Sequence, residues 1–218
     1  MQDGISVERR FAILVGLTLA LVVPLLVVQN YVAAALHLDP FTVRREAFFW
    51  GLAALVLLWS LMVEGRGLAS IGLRMPDWKT FVFGVLGAGV ILGGAGGALH
   101  YLTPILHIEH NAEALQKMMD LPYPARVMLV LRAAVVEEIL FRGYAIERLQ
   151  ELTGSRTVAG IVSLAAFTFA HLAYWGWTQL IFAGAAGLVL TLLYLWRRDL
   201  ASNMIAHFLT DAAGLLTR

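Results

Sequence analysis

The sequence predicts an all-α polytopic membrane protein, a bundle of about seven to eight transmembrane helices around a buried polar site. Hydrophobic residues make up 60% of the 218 residues and charged residues only 14%, whereas charged residues are about 25% of a typical soluble domain. The apolar residues are gathered in segments of about 20 residues, the length that a helix needs to cross a bilayer. Because lipid offers the backbone no hydrogen bonds, these segments must be helical.

Seven apolar segments follow one another along the chain. The first is longer than the core of a secretory signal, about 7–15 residues, so we expect a retained membrane span with a kink at Pro24. The third contains Gly89, Gly93 and Gly97, whose spacing predicts a face that another helix approaches closely. The segments run approximately over residues 11–35, 47–63, 79–101, 124–148, 156–175, 178–196 and 200–216.

The polar signals divide the chain at residue 66. Residues 1–66 are predicted to form two N-terminal membrane helices, and residues 67–218 a core that contains all of the chemically interesting side chains. A short interfacial element is expected over residues 67–78. The connector over 103–124 is expected to be a water-exposed loop with a helical turn, because it contains His107, Glu109, His110, Asn111 and Glu113.

Charge and cysteine content limit the partners and the location. The net charge of +1 gives no reason to expect a nucleic-acid partner, so the expected partners are membrane lipids and a substrate. Basic residues are more frequent in the loops on the side of the N-terminus, which places that terminus in the cytoplasm. The chain has no cysteine, which excludes thiol catalysis and disulfides. Short loops without cysteine are typical of a bacterial inner (plasma) membrane protein.

The fourth segment contains charges that a membrane helix rarely tolerates, since each costs about 2.5–3.5 kcal/mol on insertion scales. Glu138 and Arg142 are four residues apart with the acid first, which predicts a buried ion pair on one helix face. At about 3.6 residues per turn, Glu137 points about 100° away from Glu138. Glu137 is therefore predicted to lack an arginine partner and to act as a general base or acid. The alternative is one structural cluster that includes both acids.

Histidines in two further segments could complete a site. His171 lies in the fifth segment, and the seventh carries Asn203, His207 and Asp211 at four-residue intervals. This spacing drifts by only about 40° per step, so the stripe should face the bundle interior, because lipid cannot satisfy it. The set suits zinc or another divalent ion held by His171, His207 and Asp211. It equally suits a water held between Glu137 and His171.

In chain order, the motifs resemble the signature of the CPBP intramembrane proteases, the CAAX-processing and bacteriocin-processing family also called Abi. The three motifs are Glu137-Glu138-x-x-x-Arg142, Phe167-x-x-x-His171 and His207-x-x-x-Asp211. Each motif alone is weak, but the ordered set on separate membrane helices is specific. The turn Gly72-Leu73-Arg74-x-Pro76 is also similar to bacterial members. The resemblance covers approximately residues 67–216.

The resemblance implies an endopeptidase of the CAAX prenyl protease type that cleaves a peptide bond near the membrane surface. By this resemblance Glu137 and His171 activate the water, and His207 and Asp211 complete the site. Its supporting residues would be Glu138, Arg142, Phe167 and Asn203. The third motif often ends in Asn; the carboxylate of Asp211 instead favours a metal or a proton relay. Zinc or another divalent metal is thus the cofactor expected if a cofactor is bound.

Two other functions would use the same residues. A non-catalytic scaffold or immunity-type protein of the same fold would retain them without turnover. An ion-coupled transporter could use them as a relay, but the sequence shows no inverted repeat and no matching pair of interrupted helices. The serine-hydrolase motif Gly-x-Ser-x-Gly and the metalloprotease motif His-Glu-x-x-His are both absent from the chain.

Overall fold

The computed structural model describes residues 5–28, 33–105 and 112–217. In these ranges the chain forms eight helices and no strand. Three of the helices contain π-helical stretches and therefore consist of several consecutive parts. α1 comprises Val7–Leu17, Thr18–Val22 and Val23–Val28; α2 is Val43–Met62; α3 comprises Trp78–Val90, Ile91–Gly96 and Gly97–Ile105; α4 is Ala112–Met119; α5 comprises Tyr123–Arg132, Ala133–Ile146 and Glu147–Thr153; α6 is Arg156–Ala170; α7 is Leu172–Arg197; α8 is Leu200–Leu215.

Among the described residues, four helical stretches are long and apolar enough to cross a membrane. They are Val7–Val27, Val43–Met62, Trp78–Gly96 and Leu180–Arg197. α6 is a shorter apolar helix, whereas the long helix α5 contains the charged residues of the predicted site. The protein is therefore an integral membrane protein, as its composition predicts. Its orientation, the kind of membrane and the number of spans beyond these four stay predictions.

Side-chain caps begin the helices where the sequence offers them. The side chains of Ser6, Thr42, Asp77, Ser155 and Asp199 each accept a hydrogen bond from a backbone N–H three residues later. Such a cap satisfies a backbone donor that the first turn leaves without a partner. The Asp199 carboxylate also accepts a hydrogen bond of 2.8 Å from the Thr80 hydroxyl on α3. This contact fixes the start of α8 against α3 and with it the direction of the polar stripe on α8.

The short element before α3 docks on the turn between α7 and α8. Leu68–Ile71 forms a 3-10 turn that ends at Gly72, whose φ of 79° is in the left-handed region. The Gly72 carbonyl accepts a hydrogen bond of 3.0 Å from the Leu200 N–H. A side chain at position 72 would meet the Arg198 carbonyl and the Tyr194 ring at about 3.0 Å. Glycine is therefore required here both by its backbone angle and by close packing.

The predicted glycine face of α3 is wrong in position. A Cβ at Gly89, Gly93 or Gly97 would have none of the described residues within 4 Å. The close approach occurs instead at Gly84 and Gly87, where a Cβ would lie 2.7 Å from the Ile205 side chain and 3.1 Å from that of Ala206, both on α8. The π-helical turn Ile91–Gly96 changes the rotation per residue. Gly89 precedes this turn, but it is rotated by about 140° from Gly84 and about 200° from Gly87 around an α-helix. It therefore faces away from α8 already, and the spacing predicted the wrong face of α3.

α5 is the central helix of the bundle, and every residue from Glu138 to Ile146 is buried. Near its C-terminal end, the Tyr144 hydroxyl donates a hydrogen bond of 2.5 Å to Glu64, which follows α2. Arg148 forms an ion pair of 2.6 Å with the same carboxylate. Residues of α1, α2, α5 and α6 share one hydrophobic core. The N-terminal helices thus pack directly on the helix that carries the acidic pair.

Two predictions concern the connector after α3 and the extent of the first membrane span. The helical turn expected between residues 103 and 124 is confirmed by α4. His107, Glu109, His110 and Asn111 lie outside the described residues. In the first span a π-helical turn over Thr18–Val22 precedes Pro24. The helix is described as far as Val28, and residues 29–32 lie outside the described part; residues 33–37 form turns, so the predicted helical limit at residue 35 is wrong.

Candidate active site

The prediction that Glu137 lacks an arginine partner is wrong. Arg132 Nη1 lies 2.7 Å from Glu137 Oε1. The two residues are five apart, and α5 is π-helical from Ala133 to Ile146. A π-helix has hydrogen bonds between residues i and i+5, so side chains five apart lie close together. The prediction assumed an α-helix, in which positions 132 and 137 point in different directions.

Glu138 is a fully buried carboxylate with three partners. Arg142 Nη1 donates to its Oε1 at 2.9 Å, as the sequence predicts, and neither side chain is exposed. Asn203 Nδ2 donates to Oε2 at 3.1 Å. His207 Nδ1 lies 2.9 Å from Oε1 and donates its hydrogen, because an ionised carboxylate can only accept. Glu138 therefore joins α5 to α8 and sets the orientation of the His207 ring.

The polar stripe of α8 faces the bundle interior, as its spacing predicts. Asn203 and His207 are buried, and Asn203 Nδ2 also donates to the Leu190 carbonyl on α7 at 2.7 Å. With Nδ1 of His207 held by Glu138, Nε2 is directed to Asp211, 3.6 Å from Oδ2. The Asp211 side chain is 28% exposed. The stripe thus runs from a buried end at Asn203 to a more accessible end at Asp211.

His171 is the residue at which α6 ends. Its Nδ1 lies 2.8 Å from the Phe167 carbonyl oxygen. Since a carbonyl can only accept, Nδ1 carries the hydrogen and Nε2 carries the free lone pair. The Phe167 ring lies 4.6 Å from the imidazole centroid. Phe167 therefore fixes His171 through both its backbone and its side chain.

One cavity of about 520 Å³ brings the predicted catalytic side chains together. Glu137, His171, His207 and Asp211 all line it, although they come from three helices. Phe167 lines it as well. The other three predicted supporting residues, Glu138, Arg142 and Asn203, are buried behind the lining and contact one another or His207. The structure thus distinguishes lining residues, which a substrate could reach, from buried residues that hold the lining side chains in position.

The proposed metal ligands do not form a metal centre as they are placed. A zinc site needs donors around one point at about 2.0–2.3 Å. Within residues 5–28, 33–105 and 112–217, no three His, Asp or Glu side chains are grouped in that way. His207 and Asp211 are neighbours and His171 lines the same cavity, but the three donors do not surround one point. Binding of zinc or another divalent ion by His171, His207 and Asp211 stays a prediction.

Sequence reasoning missed three charged residues of the cavity wall, Arg45, Glu46 and Arg132. Arg132 forms a second ion pair, with 3.3 Å between its Nε and Oε2 of Glu46 on α2, and both residues line the cavity. The signal for Arg132 was a further charge inside the fourth apolar segment, five residues before Glu137. Glu46 gave only the weak signal of an acid in the first turn of a helix. Its position at the site depends on how α2 packs against α5.

The part of the chain that contains the site matches a known protein family. Residues 120–213 match a family model described as Rce1-like, type II CAAX prenyl endopeptidase. No curated protein and no solved structure matches the chain. The matched residues include the three motifs and most of α5 to α8, and they are fewer than the approximately 67–216 that the motif resemblance covers. Residues 120–213 therefore form a domain of the Rce1-like type II CAAX prenyl endopeptidase family.

Proposed function

We propose that the protein is an intramembrane endopeptidase that hydrolyses a peptide bond near the membrane surface, with water activated by Glu137 and His171. The family supports a protease with a protein substrate. The main support for the proposal is that Glu137, His171, His207 and Asp211 line one cavity. Charged and polar side chains are expensive in a membrane helix and are retained there for function.

Glu137 has the geometry of a general base. Arg132 holds its Oε1 at 2.7 Å, and Oε2 has no hydrogen-bond partner among the described residues. An ionised carboxylate with one oxygen held and one open to a cavity can accept a proton from water at hydrogen-bond distance. The resulting hydroxide attacks the peptide carbonyl carbon. Glu137 then returns the proton to the leaving nitrogen as the C–N bond breaks.

The histidines would act on the water and on the developing oxyanion. The free lone pair of His171 Nε2 can accept a hydrogen bond from the same water, since Nδ1 is held by the Phe167 carbonyl. His207 is held from behind by Glu138. With Nδ1 bonded to Glu138, His207 can donate from Nε2 to the developing oxyanion only when the ring is protonated on both nitrogens, and the carboxylates of Glu138 and Asp211 would then balance its charge. A preorganised donor to the oxyanion stabilises the transition state more than the substrate.

Cleavage by the purified protein tests the proposal directly. The protein, in detergent or in vesicles, is incubated with a quenched-peptide library that includes prenylated peptides ending in a CAAX sequence. We expect cleavage by the wild type and loss of cleavage in Glu137→Gln and His171→Ala. Glu151→Gln is the matched control, because Glu151 is also paired with arginines but does not line the cavity. Turnover that is equal in wild type and Glu137→Gln would refute the mechanism.

The scaffold alternative predicts a different result in the same assay. A non-catalytic protein would cleave none of the peptides although it unfolds cooperatively and is monodisperse. An ion-coupled transporter would instead move protons or another ion across vesicles, and no contact in the described residues favours it.

We propose a bacterial inner membrane as the location, from the short loops and the absence of cysteine. The loop charges support an N-terminus in the cytoplasm.

A further inference from the structure

We propose that Arg132 is a positioning residue for Glu137 and that Glu46 of α2 fixes Arg132 in that role; this inference rests on the proposed function. The guanidinium of Arg132 lies between two carboxylates, with Nη1 2.7 Å from Glu137 Oε1 and Nε 3.3 Å from Glu46 Oε2. The two bonds use different nitrogens of one planar group. Its orientation is therefore determined at both ends.

An aromatic ring supports the same arrangement. The Arg132 guanidinium carbon lies 5.2 Å from the centroid of the Phe49 ring on α2. A cation over an aromatic face is attracted by the ring quadrupole. Phe49 and Glu46 are both residues of α2, and both line the cavity. α2, which lies outside the matched family domain, thus contributes two groups that hold Arg132 against α5.

The charges that face this part of the cavity show why a cation is needed there. Glu46 and Glu137 face it from α2 and α5, and Asp211 from α8. Arg45 of α2 also lines the cavity, and its Nη1 donates to the Leu38 carbonyl at 3.0 Å. Arg132 is the cation that pairs with both Glu46 and Glu137, so its removal would leave two neighbouring carboxylates without the charge that joins them, and like charges at short range repel. The Glu137 carboxylate would then leave the position in which one oxygen is held and the other is open. Arg132 therefore acts through Glu137 and need not contact the substrate.

The partial exposure of the group makes chemical rescue feasible. The Arg132, Glu46 and Glu137 side chains are 15%, 19% and 18% exposed. In Arg132→Ala, a free guanidinium ion could enter the space left by the side chain and contact both carboxylates. Restoration of activity by an added cation distinguishes a positioning role of Arg132 from a merely structural one, because a small ion cannot repair a misfolded site.

Steady-state kinetics of the full chain, with guanidinium chloride at non-denaturing concentration, test the inference. We expect Arg132→Ala to lower kcat by about 100-fold, the size of effect that a 1 Å misplacement can cause, with little change in KM. Arg132→Lys should keep part of the activity. Added guanidinium should restore kcat of Arg132→Ala at least about tenfold. Methylammonium, a point charge without the planar fork, should restore it less.

The Glu46→Gln variant tests the second half of the inference. Because Glu46 acts only through Arg132, the double variant Glu46→Gln/Arg132→Ala should be no slower than Arg132→Ala alone. Arg9→Ala, which breaks the ion pair with Glu151 away from the cavity, is the control and should neither lose activity nor respond to guanidinium. Failure of guanidinium to restore activity, or additive losses in the double variant, would overturn the inference.

The proposed function and the role of Arg132 are refuted by different results. Equal turnover by the wild type and Glu137→Gln refutes the proposed function, and it also refutes the role of Arg132, which acts through Glu137. Turnover that depends on Glu137 but not on Arg132 refutes only the inference. If Arg132→Ala does not fold, Arg132→Lys and Glu46→Gln decide. A kcat as high as that of the wild type in both would overturn the proposal, and a loss of kcat in both with KM unchanged would support it.

Discussion

The guanidinium of Arg142 lies over the face of the Phe167 ring, with 3.8 Å between its Cζ and the ring centroid. This contact joins the buried ion pair of α5 to α6, which ends at His171. Phe167 also accepts the hydrogen bond from His171 Nδ1 through its carbonyl, and its ring lies edge-on to Phe141 with centroids 5.5 Å apart. The position of a proposed catalytic histidine therefore depends on the same side chain that covers a buried charge.

Replacement of Phe167 by Leu should reduce both stability and activity. A desolvated cation–π contact contributes about 2 kcal/mol, so we expect the free energy of unfolding to fall by roughly 2 kcal/mol. Cleavage should fall more than tenfold, because His171 loses the ring that packs against it. Denaturant unfolding and peptide cleavage measure the two effects. Phe169→Leu is the matched control on the same helix, where the side chain is 53% exposed; equal effects in the two variants would contradict the role of the Phe167 ring.

The two adjacent acids should respond differently to the same substitution. Glu138→Gln removes the charge that neutralises Arg142, and leaving one member of a buried pair costs about 3–5 kcal/mol. Glu137→Gln breaks a partly exposed pair, for which about 0–1 kcal/mol is typical, yet it should abolish cleavage. Unfolding free energies and cleavage rates of both variants check this division. Equal losses of stability would place Glu137 in the structural cluster.

The site could be predicted from the sequence where lipid restricts the possible partners. Asn203, His207 and Asp211 repeat every four residues on a helix with no π-helical stretch, so one face was predictable and is observed. Glu138 and Arg142 had to be paired because neither charge is tolerated alone in the bundle. Helical periodicity and the cost of burial are sufficient for both predictions.

The remainder depended on features that a single sequence does not reveal. The partnership of Arg132 with Glu137 follows from the π-helical stretch of α5, and residue types gave no sign of that local geometry. The packed face of α3 carries Gly84 and Gly87, and glycine spacing alone did not reveal which face of the helix meets α8. Glu46 reaches the cavity through the packing of α2, and a tertiary contact of this kind has no periodic signal. Local backbone geometry and long-range packing thus explain the errors.

A close approach between α1 and α5 predicts a strongly destabilising substitution. A Cβ at Gly16 would overlap the hydroxyl of Tyr144, which is buried and bonded to Glu64. Gly16→Ala should therefore displace Tyr144 and cost about 1–3 kcal/mol, as overpacking does. Gly51→Ala is the control, because nothing lies within 4 Å of its Cβ among the described residues. It should leave stability equal or raise it slightly. Thermal unfolding of both variants in the same detergent provides the comparison, and similar midpoints would disprove the close contact.

Asp211 distinguishes metal-assisted hydrolysis from hydrolysis by Glu137 and His171 alone. A carboxylate at this position could bind a divalent ion together with His171 and His207, and loss of the carboxylate would lower the affinity for that ion. If hydrolysis needs no metal, the amide of Asn can donate a hydrogen bond to the developing oxyanion, which an ionised carboxylate cannot do. We expect Asp211→Asn to retain much of the activity and to be no more sensitive to chelator than the wild type. Elemental analysis of protein purified without added metal, with cleavage measured before and after dialysis against chelator, checks this expectation. The opposite result would be stoichiometric zinc that is lost together with activity, and lost more readily from Asp211→Asn than from the wild type. It would establish His171, His207 and Asp211 as metal ligands, because only a bound ion explains why both chelator and loss of the carboxylate reduce turnover.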